Sequence, residues 1–136
     1  MRIDAAIERR ILAGLRQRDR NKESTLTVDN YDDPDTHVIT ATVRWTLNAD
    51  LTRETILMDA AALLRLVAAE RIEYHKLALY GLGELVGKDG KPFDLPVARL
   101  EFRRETLDSI NLADDTLWRN LPHLADVILF HPAIKK

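Results

Sequence analysis

The chain has 136 residues, of which 46% are hydrophobic, and its formal net charge is −2. A single domain of this length buries roughly two-thirds of its unfolded surface, so it can fold without a disulfide or a metal. The absence of cysteine excludes disulfides, thiolate nucleophiles and cysteine-ligated metal or iron–sulfur sites. The compartment stays open: the cytoplasm is the default, and an extracytoplasmic location would need an anchor outside this chain.

No apolar run reaches the length of about 18 residues that a membrane span needs. The longest candidate, residues 56–69, is interrupted by Asp59 and Arg65. The charge is unevenly distributed, since residues 1–22 carry seven basic and three acidic groups and the remainder carries 13 basic and 19 acidic groups. We therefore expect a soluble domain with a basic first helix, an acidic body and no membrane span.

Two stretches of the chain have the spacing of amphipathic helices. The apolar residues of the first recur every fourth position: Ile3, Ile7, Ile11 and Leu15. They predict a basic helix within residues 1–20. A broader apolar stripe over residues 51–70 predicts a central buried helix, whose start Asp50 or Thr52 can cap.

Between residues 25 and 47 the apolar period changes to two, which predicts a β-hairpin with one core face and one solvent face. The connection Asp33-Pro34-Asp35-Thr36 suits a type I turn. Pairing around this turn gives two apolar cross-strand pairs: Leu26 with Val43, and Val28 with Ala41.

A second hairpin is predicted around Lys88-Asp89-Gly90-Lys91, because Asp-Gly at the centre is typical of a type I′ turn. This turn fixes the register on both faces. The apolar pairs are Leu79 with Leu100 and Leu77 with Phe102, and the pairs on the other face are Tyr80 with Arg99 and Lys76 with Arg103. Pro92 and Pro96 cannot donate to a ladder, so we expect that end of the strand to be splayed or at an edge.

Residues 105–136 predict short helices followed by a fifth strand near Val127–Phe130. The whole chain, residues 1–136, is predicted to be one domain in which a hairpin-helix-hairpin body (21–104) follows the first helix (1–20). The order of elements is then α-β-β-α-β-β-α-β. We expect an α+β fold of two layers, with a mainly antiparallel sheet of four or five strands and the helices packed on one face.

The sequence contains no catalytic set that we recognise. Neither Ser24 nor Ser109 lies in a nucleophile elbow, and the histidines lack a ligand or triad spacing. Residues 29–37 are rich in oxygen ligands, but they miss the spacing of a calcium-binding EF-hand loop and suit a turn. The glycines at residues 81–90 precede no Lys-Ser/Thr and form no phosphate loop. We predict no catalytic residue, no metal and no cofactor.

The two hairpins together predict a basic and aromatic sheet face opposite the helices. Its expected members are Arg44, Lys76, Arg99 and Arg103, with Tyr74 and Tyr80. Sheets that stack nucleic-acid bases present such side chains. A solvated face with cross-strand charge pairs explains the same residues, and the net negative charge favours that interpretation.

We predict a non-catalytic protein-interaction or assembly module that binds a protein partner or self-associates, through this face or through the first helix. The candidate interaction face consists of Arg44, Lys76, Tyr80, Arg99 and Arg103. One alternative is a small-molecule-binding protein or small enzyme, with a pocket between sheet and helix lined by Trp45, Tyr74 and His75. A second alternative is single-stranded nucleic-acid binding on the outer sheet face.

Overall fold

The computed structural model describes residues 4–47 and 52–134, with the exception of the Leu85 side chain. In chain order the elements are helix α1 (Ala5–Arg16), a 3-10 turn (Asp19–Asn21), strands β1 (Leu26–Asp32) and β2 (Ile39–Thr46), helix α2 (Arg53–Ala69), strands β3 (Lys76–Val86) and β4 (Pro92–Arg103), helices α3 (Arg104–Asp108) and α4 (Leu117–Leu124), and strand β5 (Val127–Phe130). The five strands lie in sequence order across one sheet. The predicted α+β fold is confirmed, and its last helical region divides into α3 and α4.

The sheet is antiparallel except where α2 connects β2 to β3. These two strands run parallel, from Thr40 beside Lys76 to Thr46 beside Leu82. A parallel neighbour requires a crossover connection, and the 17-residue α2 supplies it. The apolar residues of α1, α2 and one side of the sheet belong to a single buried cluster. We call this side of the sheet the inner face and the opposite side the outer face.

Both long helices start at side chains that cap them. Asp4 Oδ1 accepts a hydrogen bond from Ile7 N at 2.9 Å. At the start of α2, Thr52 and Thr55 form a reciprocal capping box. Thr52 is thus one of the two predicted caps, whereas Asp50 lies outside the described residues.

The predicted register of the first hairpin is wrong by two residues. The observed pairs are Leu26 with Trp45 and Val28 with Val43. The loop is longer than a four-residue turn, because His37 N donates to Asp33 O at 2.8 Å and His37 adopts a left-handed φ of 60°. Asp33 Oδ1 accepts the Asp35 N–H at 2.8 Å and closes an Asx turn inside the loop. Since the shift is even, every side chain keeps its predicted face.

The second hairpin has the predicted register in the body of the sheet but not the predicted turn. The confirmed pairs are Leu77 with Phe102, Leu79 with Leu100, Tyr80 with Arg99 and Lys76 with Arg103. At the turn, Gly90 N donates to Gly87 O and Gly87 N donates to Lys91 O, both at 3.0 Å. Gly90 has a φ of 77°. The connection is therefore a three-residue loop, a type I turn followed by a left-handed glycine, and the prediction of a type I′ turn is wrong.

A bulge at Val97 compensates for the extra loop residue. Gly81 lies opposite Ala98, but the next residue, Leu82, lies opposite Pro96. Val97 is thus the additional residue that a β-bulge inserts into one strand. Between the bulge and the turn, each pair is displaced by one residue from the predicted register.

A buried carboxylate joins α2, β2 and the 3-10 turn. Asp59 is 4% exposed, and its Oδ1 accepts hydrogen bonds from Arg18 and Arg20, both at 2.8 Å. Asn21 Nδ2 and Trp45 Nε1 donate to Oδ2 at 3.3 and 3.2 Å. A buried carboxylate is costly unless its oxygens are paired, and these four donors meet that need. Asp59 therefore fastens the segment after α1 and the end of β2 to the central helix.

We expect Asp59→Asn to lower the free energy of unfolding by about 3–5 kcal/mol. The substitution replaces one accepting carboxylate oxygen with an NH2 group, which cannot accept hydrogen bonds from the surrounding donors. Trp45→Phe removes one donor together with some ring packing, and should cost about 1–2 kcal/mol. Urea denaturation followed by circular dichroism measures both. Asp115→Asn, at an exposed position, is the matched control. A similar stability for Asp59→Asn and Asp115→Asn would contradict the role given to Asp59.

Candidate interaction face

The outer face is organised in three rows of side chains that run across the strands. The first, which we call the cationic row, contains Thr27, Arg44, Tyr80, Arg99 and Leu129. The middle row contains Asp29, Thr42, Ala78, Glu101 and Val127. The third row contains Tyr31, Thr40, Lys76 and Arg103. The structure therefore brings the five residues of the predicted interaction face onto one surface, in the first and third rows.

Tyr80 lies between two arginines of the cationic row. The guanidinium carbons of Arg44 and Arg99 are 5.5 and 5.8 Å from the Tyr80 ring centroid, which is within the range of a cation–π contact. Arg44 also pairs with Asp29 at 2.9 Å. The row thus presents a half-buried aromatic ring flanked by two positioned guanidinium groups.

Glu101 is buried although it belongs to the outer face. Its exposed fraction is 2%, and it forms ion pairs with Lys76 and Arg99. Its neighbours in the middle row, Thr42 and Ala78, are also buried, at 8% and 2%. Thr42, Ala78 and Glu101 therefore lie lower than the two rows of long side chains beside them. The Glu101 carboxylate pairs with one cation from each of these rows, Lys76 and Arg99.

Arg103, in the third row, is held by a carboxylate just before β5. Asp126 Oδ2 accepts the Arg103 N–H at 2.6 Å, and Oδ1 lies 3.3 Å from Arg103 Nη2. The hydrogen bond from the Arg103 backbone is the main cause that lowers the pKa of Asp126. Within the described ranges, each of the four predicted cations thus has an anionic partner.

Beyond the cationic row the second hairpin extends as a two-stranded arm, which we define as residues 83–86 and 92–95. Leu82 and Pro96 pair between the cationic row and the arm, and the pairs on the outer side of the arm itself are Glu84 with Asp94 and Val86 with Pro92. Val86 is 70% exposed. The outer face therefore passes from cationic to apolar to acidic along β3 and β4.

A groove of about 500 Å³ lies beside the cationic row, where β4 meets β5. Its lining includes Tyr80, Pro96, Arg99, Leu129 and His131. Leu129 is 57% exposed. The groove combines an aromatic ring and aliphatic side chains with a guanidinium and an imidazole.

The edges of the sheet are poor templates for a further strand. On β1, Glu8 Oε2 accepts the Val28 N–H at 2.9 Å. At the opposite edge β5 has four residues, and the uncovered part of β4 contains Pro92 and Pro96, which have no N–H. This agrees with the prediction that the two prolines lie at an edge. Blunted edges favour recognition by the side chains of the face over strand addition.

The structure separates the three residues of the predicted pocket. Trp45 is fully buried in the core, with its ring N–H on Asp59. His75 is at the other end of the sheet, where its backbone N–H donates to Ile39 O at 2.8 Å. Ile39 and Trp45 are the two ends of a strand segment about 20 Å long. Tyr74 and His75 do line one cavity, of about 360 Å³.

Tyr74 also lines a second cavity, of about 230 Å³, among α2, β3 and α3. The lining has an apolar part, with Leu64, Leu77 and Leu107, and a polar part, with Glu70, Tyr74, Arg104 and Asp108. The guanidinium carbon of Arg104 is 4.5 Å from the Tyr74 ring centroid. Burial raises the pKa of Tyr74, and the Arg104 charge opposes this shift. Tyr74 therefore lies at the helix side of the sheet and not beside Tyr80.

Cross-strand charge pairs were one interpretation of the outer face, and Glu101 forms such pairs, but sequence reasoning missed that Glu101 is buried. It also missed that Glu84 lies opposite Asp94, because the predicted register places Glu84 opposite Leu95. The bulge at Val97 creates the observed pair.

No protein-family model, curated protein or solved structure matches the chain. Among residues 4–47 and 52–134, no helix is long and apolar enough to cross a membrane. The same part of the chain has no group of three or more histidine and carboxylate side chains that could hold a metal ion.

Tyr74 should ionise above the ordinary tyrosine pKa of about 10 in an absorbance titration. Tyr74→Phe should remove this late component, whereas Tyr31→Phe should leave it in place. Burial raises the folded pKa of Tyr74, so the stability gained is complete below the unfolded pKa and is lost as the pH rises through the folded value. A late component that survives in Tyr74→Phe would contradict this assignment.

Proposed function

We propose that the protein is a non-catalytic protein-interaction module whose binding surface is the outer face of β3, β4 and β5. The observation that carries the proposal is the groove beside the cationic row, where Tyr80, Arg99 and the exposed Leu129 lie together. No helix in the described part of the chain covers this side of the sheet. Leu129 is 57% exposed, and burying it against a partner would be favourable because apolar surface is removed from water.

The composition of this surface is that of a protein-binding site. Tyrosine and arginine are enriched among the residues that dominate interface energies, and they work best around an apolar centre with a polar rim. Here Tyr80 and Arg99 are anchored by cation–π and ion-pair contacts before any partner binds. A positioned anchor loses little conformational freedom on binding, which favours affinity.

The charge pattern favours a protein partner over nucleic acid. The four cations are paired with carboxylates of the same surface, and the nearby arm adds Glu84 and Asp94. A phosphate backbone binds best to cations that are free to replace its counterions. The carboxylates of the nearby arm would also repel a phosphate backbone.

The surroundings of the candidate nucleophiles and bases support a non-catalytic role. Ser24 is fully buried, and Ser109 Oγ donates to Thr106 O at 2.7 Å. His75 Nδ1 accepts the Ile39 N–H at 2.9 Å. Ser24 Oγ accepts a hydrogen bond from Asn21 Nδ2 at 3.3 Å, and His131, which lines the groove, accepts the Ala133 N–H on Nδ1 at 3.0 Å. Each of these groups therefore has a local hydrogen-bonding role.

A photo-crosslinking amino acid at position 129 tests the proposal in cells of the native host. We expect it to form a covalent adduct with a protein, since Leu129 lies in the proposed surface. The same residue at position 13, on the exposed side of α1, is the control and should give no adduct. Equal yields from the two positions, or no adduct from position 129, would contradict the proposal.

A small-molecule-binding function is the second candidate, and the cavity beside Tyr74 favours it. Its volume of about 230 Å³ is somewhat below the range of roughly 300–1,000 Å³ that is usual for ligand pockets. Short amphiphiles such as straight-chain alcohols, amines and carboxylates fit its apolar and polar parts. Thermal-shift measurements with these compounds test the idea. Ala68→Phe, in the cavity wall, should abolish any shift, and unchanged melting of the native chain would end this candidate.

A further inference from the structure

The outer face has two charged regions on either side of an apolar centre. Leu82 and Pro96 form the centre, next to Leu129. Toward one end of β3 lies the cationic row with Arg44 and Arg99. Toward the other end lies the arm with its carboxylates. The two charged regions are about equally far from the centre, because Tyr80 and Glu84 are each two strand residues, or about 7 Å, from Leu82.

The acidic end of the face consists of two carboxylates on neighbouring strands. Glu84 and Asp94 are exposed and lie directly opposite each other. Neither forms an ion pair with the residues that the structure describes. Like charges in directly opposed cross-strand positions destabilise a hairpin. A cation delivered by another surface would remove this repulsion.

We propose that the partner of the outer face is a second copy of this chain, related by a two-fold axis that runs across the strands at Leu82. The inference rests on the proposed function and identifies its partner. Such an axis reverses the direction of the strands and keeps each strand over its own copy. It therefore places Asp94 of one copy over Arg99 of the other, and Glu84 over Tyr80 beside Arg44. Both contacts occur twice, as an isologous interface requires.

The size of the overlap indicates a weak contact. From Val86 at the end of the arm to Tyr80 in the cationic row, the overlapping surface is about 20 Å long and roughly 15 Å wide. This footprint is smaller than the approximately 800 Å² per partner of a standard stable interface. The two copies should thus form a weak, reversible dimer whose population depends on concentration and falls as salt is added.

Charge reversal at one contact tests the arrangement. Glu84→Lys and Arg44→Glu each place like charges together twice in a homodimer, so each variant alone should weaken dimerisation about tenfold in sedimentation equilibrium. In an equimolar mixture, Lys at position 84 of one copy meets Glu at position 44 of the other, and both contacts become attractive. The mixture should regain an affinity within about threefold of that of the native chain.

The controls separate this inference from the function on which it rests. Glu23→Lys makes the same charge change at an exposed position outside the face and should dimerise like the native chain. Melting temperatures verify that all variants are folded. A native chain that stays monomeric at millimolar concentration overturns the second-copy proposal, and the proposed function stands if position 129 crosslinks to another protein. A dimer that ignores both charge reversals, or a mixture that fails to recover, overturns the two-fold arrangement.

Discussion

The architecture depends on one buried interaction, the carboxylate of Asp59 with its four donors. The donors come from the segment after α1 and from the end of β2, so a single group in α2 fixes the position of two other elements. Because breaking such a cluster leaves buried polar groups unpaired, it strongly favours one arrangement of helices over the sheet. With α1 and α2 both on the inner face, the outer face is left with its own side chains.

The outer face is ordered by a second carboxylate. Glu101 is buried by the cations that it attracts, and this fixes Lys76 and Arg99 on either side of a low middle row. Tyr80 is held in turn by the arginines beside it. The surface is therefore organised before binding, which lowers the entropy lost on association. The proposed function follows from this order: a patterned face with anchored aromatic and cationic groups, next to an arm of opposite charge.

The spacing of apolar residues was sufficient to predict the fold class, the faces of the strands and the central helix, because burial on one side imposes a period of two on a strand and of about 3.6 on a helix. Turn chemistry was less informative. In the second hairpin the turn type was mistaken, but because of the bulge at Val97 the pairs from Lys76 to Gly81 keep the expected register. In the first hairpin nothing compensated for the longer loop, so the register is displaced. No local pattern encodes a loop length or a bulge.

The buried acids were equally hard to predict, because their partners lie far away in the sequence. Asp59 interrupts the apolar stripe of α2 and could be seen only as an anomaly there, since Arg18 and Trp45 have no sequence relation to it. The candidate pocket did not assemble for a similar reason: Trp45 lies at one end of the sheet, and Tyr74 and His75 lie together at the other. Contacts across the fold, and not composition, decide which polar groups meet.

We propose that the inner face is committed to the core and that the outer face binds a second copy of the chain. Backbone amide chemical shifts, followed by nuclear magnetic resonance as the chain is diluted from millimolar to micromolar concentration, distinguish the two faces. We expect the shifts of Tyr80, Leu82, Asp94 and Arg99 to change and those along α1 to stay constant. An outer face whose shifts do not change, with or without changes in α1 or α2, would overturn this arrangement.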